Sequence, residues 1–192
     1  MAGNYRIKKK NPDDFQNFGQ KFIMARPDLT AVPPFYHNYI NQVKQDELKT
    51  ALQTGSDEFI RFIEDIPLSK LDYRYAPGKW TIKDLLQHII DAERIFTYRA
   101  LRFARKDDTP LSGFDENRYT DHAKADQRDW QELIAEFKVV RKASEFLFGS
   151  FDEEQLNASG LSSNKSISVL ALGYIVVGHS LHHKNIITER YL

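Results

Sequence analysis

The chain has 192 residues, 41% hydrophobic and 28% charged, with only 9 Gly and 7 Pro, which suits one compact domain with tails and excludes whole-chain disorder or low complexity. It contains no Cys, which rules out disulfide scaffolds, thiolate nucleophiles, Cys-ligated zinc and iron–sulfur clusters, and points to a reducing compartment. Lys plus Arg and Asp plus Glu both total 27, so no net field steers the chain toward nucleic acid or an acidic membrane, and neither is an expected partner.

Residues 1–25 read as a basic N-terminal tail. Over its first 23 positions Arg6, Lys8, Lys9, Lys10 and Lys21 outnumber Asp13 and Asp14, and a run of three lysines reads as a solvated arm. No apolar signal core is visible there, and the longest apolar stretch, Val169 to Val177, is too short to span a bilayer, so a cytoplasmic protein is the expectation. The only methionines are Met1 and Met24, and patterned sequence begins just after Met24, which marks it as a functional start or as the boundary of a domain running over 26–192.

From there helical periodicity dominates and strand signals are weak. The first segment runs from about Gln45 to Ile66, with Leu48, Leu52, Gly55, Phe59, Phe62 and Ile66 on one stripe and Pro67 stopping it; Gly55 would allow a close helix contact. The second starts at Thr81, an N-cap with Asp84 three residues on and Trp80 and Leu85 placed as a hydrophobic staple, and continues to about Phe103. The third spans roughly Gln127 to Phe148 on Trp130, Leu133, Ile134, Phe137, Val140 and Leu147, with Gly149 as the expected C-terminal cap. The fourth runs from about Ser166 to Tyr191. Four such helices predict an all-α four-helix bundle. The connection between the second and third, Ala104 to Asp126, far exceeds the usual ~2–8 residues and is expected to be a long crossover or a functional loop.

Of the six histidines, three stand where a bundle core should be apolar. His88 lies three residues after Leu85, and His179 and His183 are one helical turn apart on the stripe of Val176 and Ile186. A pair at i and i+4 plus a third imidazole from a neighbouring helix makes a three-nitrogen set for a divalent ion, against the alternative of hydrogen-bonded core histidines. His182 points about 100° away from His183 and reads as surface or as a support for the site. His37 and His122 read as surface residues. Asp91, one turn after His88, is the nearest carboxylate able to serve as base or as a support for the ligands; Glu93 falls off the stripe, and Asp115 and Glu116 lie in the long connection. No Ser-His-Asp signature, phosphate-binding loop or dinucleotide fingerprint is present.

The stretches Tyr75-Ala-Pro-Gly-Lys-Trp-Thr-Ile-Lys-Asp-Leu-Leu-Gln-His88, Asp91-Ala-Glu-Arg-Ile95, Gly113-Phe-Asp-Glu-Asn117 and Gly178-His-Ser-Leu-His-His183, with Glu189-Arg-Tyr191, resemble the DinB-like superfamily of metal-dependent enzymes, which includes bacillithiol and mycothiol S-transferases. The resemblance covers roughly Arg26 to Leu192. It implies a four-helix bundle with a long crossover and a metal site on His88, His179 and His183, the positions that periodicity also selects. It further implies zinc or nickel, a small-molecule substrate, a low-molecular-weight thiol as possible co-substrate, and a homodimer. A thiol would have to come from outside, because the chain has no Cys. Thiol transfer and hydrolysis both stay open, and so does a non-catalytic bundle holding a metal or small ligand for a structural or stress-response role. Three protein ligands leave an open position, which favours an enzyme.

Overall fold

The computed structural model describes residues 26–192, so the basic tail and Met24 lie outside the described residues. Its elements in chain order are α1 (His37–Gln42), α2 (Leu48–Glu64), α3 (Ile82–Ala104), α4 (Glu116–Ala123), α5 (Trp130–Gly149), α6 (Glu153–Asn157), β1 (Ser159–Ser162), β2 (Lys165–Ser168) and α7 (Val169–Arg190). The four long helices are the four that periodicity predicts. Both α2 and α3 pack against α7 on one side and α5 on the other, so α2 and α3, neighbours in the chain, occupy opposite corners of the bundle.

The local signals explain most boundaries. Thr81 and Asp84 form a complete capping box at the start of α3, fixing its register, and Asp129 and Ser168 accept from backbone N–H groups at the starts of α5 and α7. On α2 the buried face is Leu48, Ala51, Leu52, Gly55, Ser56, Phe59 and Ile63, and the helix ends at Glu64, ahead of Pro67. A Cβ at Gly55 would lie 2.6 Å from Val177, so glycine here lets α2 and α7 close on each other.

Four features depart from the sequence reading. Residues 34–42 form a 3-10 turn followed by α1, which lies so close to α7 that a Cβ at Gly178 would sit 2.0 Å from the Tyr39 carbonyl oxygen. Residues 159–168 form an antiparallel hairpin in place of the first turn expected of the last helix; its turn residues Ser163 (φ 50°) and Asn164 (φ 60°) both adopt the left-handed conformation that hairpin twist favours. Gly149 is the last helical residue of α5 rather than a left-handed cap, and the Ser150 N–H closes the helix. The long connection between α3 and α5 contains α4 and is stitched to the hairpin by bonds from Leu111 N–H to the Leu161 carbonyl (2.9 Å) and from Ser163 N–H to the Leu111 carbonyl (3.0 Å).

The core divides into two apolar clusters, one around Leu52, Phe96, Phe103, Phe148 and Leu172 and one around Phe59, Ile63, Ile82, Leu86, Phe137 and Ile187. A polar layer separates them. Glu93 and Arg141, only 2% and 1% exposed, form a two-pronged ion pair: Arg141 Nε donates to Glu93 Oε1 and Nη2 to Oε2, each at 2.9 Å. Ser144 Oγ donates to the same carboxylate at 2.7 Å, and Arg141 also reaches Ser56, Ser180 and the Val176 carbonyl. Glu93 is off the His88 stripe, as its sequence position suggests, but it faces α5 and not solvent.

Removing one partner strands the other charge in the core. Glu93→Ala is therefore expected to cost about 3–5 kcal/mol, read as a shift of the urea unfolding midpoint, whereas exposed Glu132→Ala leaves it nearly unchanged.

Candidate metal centre

Three imidazoles meet beside this polar layer, between α3 and α7. The capped start of α3 sets the turn on which His88 faces α7, and the one-turn spacing of His179 and His183 puts both on the α7 face that meets it. His88 Nε2 and His183 Nε2 each lie 3.1 Å from His179 Nε2, and all three ligand-capable nitrogens fall within 4.8 Å of one another. Four-coordinate zinc with nitrogens at about 2.0–2.1 Å would place neighbouring nitrogens about 3.3 Å apart, close to the two spacings observed to His179.

The chemistry of the donor set points the same way. A neutral imidazole Nε2 carries either a proton or a lone pair, so His179 Nε2 cannot make a good linear bond to both neighbours at once. A cation at the point of convergence resolves that conflict by accepting all three lone pairs. Burial and the adjacent imidazoles push His179 and His183 well below the ordinary histidine value, and burial brings His88 down to about 4. All three are therefore neutral at pH 7, the form that ligates. His183 Nδ1 is buried with no hydrogen-bond partner among the described residues. His88 alone of the three keeps partial exposure and marks the open side.

Aromatic rings wall the cluster. Trp80 stacks 4.8 Å from His88 between ring centroids, and Tyr39 and Phe96 lie 5.2 and 5.8 Å from His179. Trp80 is visible in the sequence as half of a staple, and here the same ring screens a histidine. Tyr39 comes from α1, which periodicity does not reveal, since its six residues carry too short a pattern.

The remaining sequence candidates spread out. Asp91 is half-buried; its Oδ1 accepts from Gln87 Nε2 at 3.0 Å and lies 3.7 Å from Arg94 Nη1, and burial raises its proton affinity. His182 is half-buried against α1, near the Asn38 and Gln42 amides, so it stands outside the cluster. His37 is also half-buried, its Nε2 2.8 Å from the Val32 carbonyl, and His122 is exposed on α4. Asp115 caps α4 by accepting from the Asn117 and Arg118 N–H groups, and Glu116 is exposed.

Comparison with known proteins identifies the family and the fold. The sequence model of the DinB superfamily matches residues 51–187, a span that contains all three histidines. Among solved structures the fold is similar to that of YfiT from Bacillus subtilis, described as a probable metal-dependent hydrolase with an unusual four-helix bundle topology; the TM-score is 0.65 at 17% identity, over 86% of this chain and 91% of that one. No curated protein sequence matches. No helix among the described residues is long and apolar enough to cross a membrane.

The depressed proton affinities set a sign. Below pH 6.5 an unfolded chain protonates these histidines while the folded one does not, so the metal-free protein loses stability as the pH falls from 6.5 toward 4. In nuclear magnetic resonance titrations of metal-free protein, the imidazole signals of His88, His179 and His183 are expected to stay at their neutral positions from pH 7.5 to 5. Titration of the three near 6.5 would contradict the burial argument.

Proposed function

The chain belongs to the DinB superfamily, and from that premise we propose that it is a divalent-metal-dependent enzyme acting on a small molecule, of the hydrolase or thiol S-transferase type. The convergence of His88, His179 and His183 Nε2 atoms carries the reading. Zinc or nickel suits three borderline nitrogen donors and leaves at least one position open for a reactant. A divalent ion there supplies Lewis-acid chemistry, making a water or an incoming thiol nucleophilic at neutral pH.

The residues supply the rest. The three imidazoles stay unprotonated and face inward because α3 and α7 hold them in a buried seam. Tyr39 and Phe96 exclude bulk water from the His179 side and Trp80 covers one side of His88, which strengthens electrostatic interactions with a reactant. Asp91, one turn along α3, is the half-buried carboxylate with raised proton affinity and is assigned the role of base or proton store. The likeness to YfiT supports hydrolysis as the first activity to assay, with thiol transfer to an electrophile as the second.

Metal content by mass spectrometry on untagged, zinc-reconstituted protein tests the site. Wild type is expected to hold close to one ion per chain, and His88→Ala, His179→Ala and His183→Ala each to lose it while circular dichroism stays helical. Zinc-free wild type, or variants that keep their zinc, would overturn the assignment.

A further inference from the structure

Two arginines are deeply buried among the described residues, and they are treated differently. Arg141 is neutralised by Glu93. Arg99, on α3 and 3% exposed, has no carboxylate against it among the described residues: Nη2 donates to the Ser112 carbonyl at 3.2 Å, and the Tyr36 hydroxyl lies beside the guanidinium. The Phe96 and Phe114 rings each lie 6.0 Å from its guanidinium carbon. A guanidinium held this way pays the desolvation of a charge with only dipoles and ring faces to offset it, and such a cation is kept where something else completes it.

Its position says what that is. The Phe96 ring neighbours both groups, 6.0 Å from the Arg99 guanidinium carbon and 5.8 Å from the imidazole of His179. A second path runs through Tyr36 to Tyr39 (6.2 Å) and from Tyr39 to His179 (5.2 Å). Ser112 and Phe114, which complete the surroundings, belong to the long connection between α3 and α5, so that segment encloses the guanidinium. Arg99 and the histidines therefore share aromatic neighbours, and the steps from the guanidinium to Phe96 and from Phe96 to His179, 6.0 and 5.8 Å, together lie within the reach of an extended small molecule.

We propose that Arg99 anchors an oxyanion, a carboxylate or phosphate group, carried by the molecule whose other end reaches the three-histidine site. The planar, two-pronged guanidinium geometry suits both oxyanions. The assignment rests on the metal-dependent reading for what happens at the far end, while the anion contact itself needs no metal. Desolvation lowers the proton affinity of Arg99, as expected of a buried cation without an anionic partner.

Calorimetric titration of metal-free protein with inorganic phosphate and, separately, succinate tests the anchor. Saturable one-site binding of at least one anion is expected in wild type, with the stronger titrant identifying the oxyacid class. Arg99→Met is expected to weaken it by about tenfold or more without lowering the melting temperature, because an uncompensated buried charge is removed. Arg99→Lys, which keeps charge but not the fork, covers the case in which Arg99→Met fails to fold, and is expected to bind severalfold more weakly than wild type. His183→Ala is expected to bind the anion like wild type while losing zinc. No saturation by either anion in wild type, or equal binding in the folded Arg99 variants, overturns the anchor. Zinc retained by His183→Ala overturns the metal reading and leaves the anion result standing.

Discussion

The bundle is organised around one buried ion pair. Glu93 on α3 and Arg141 on α5 are both removed from water at the level where the two apolar clusters meet, and a lone charge there would cost several kcal/mol. Satisfying that pair constrains all four long helices at once, since Ser56 of α2, Ser144 of α5 and Ser180 of α7 complete its hydrogen bonds. A one-residue slip of any of these helices would break the layer. Apolar packing alone would tolerate more variation than this.

That constraint reaches the three-histidine cluster directly. Ser180 follows His179 in sequence, so the residue that fixes α7 against Arg141 also fixes the turn carrying two of the three imidazoles. Gly178, one residue earlier, lets α1 approach α7 so closely that Tyr39 closes over His179. The resulting pocket of neutral nitrogens is a poor place for protons and a good one for a divalent cation. Burial keeps the imidazoles neutral, and the convergence of their nitrogens is what suits them to a cation.

Much of this was legible in the sequence because the long helices carry strong signals. The capping box at Thr81 and Asp84 and the stripes on α2, α3 and α5 locate three helices, and histidines interrupting apolar faces locate the three-imidazole cluster. Residues whose meaning depends on a partner were not legible. Arg141, Ser144 and Glu93 look like solvated positions when apolar spacing is counted, since nothing in one helix says that a charge will meet its opposite on another. Arg99 is invisible for the same reason. The α1 segment is too short to show a period, and the hairpin turn uses Ser-Asn at positive φ where an Asn-Gly pair would have announced it. The family resemblance, carried by the stretches around His88 and His179, pointed to the same three histidines independently of periodicity, and the family match over residues 51–187 bears out the membership.

The central claim is that three imidazole nitrogens from two helices hold one divalent ion and leave room for a reactant. X-ray absorption spectroscopy of the zinc-loaded protein tests it most directly. The account predicts a first shell of low coordination number with three imidazole scatterers at about 2.0–2.1 Å and one or two further light atoms. A shell of six oxygens, or fewer than three imidazoles, would contradict it.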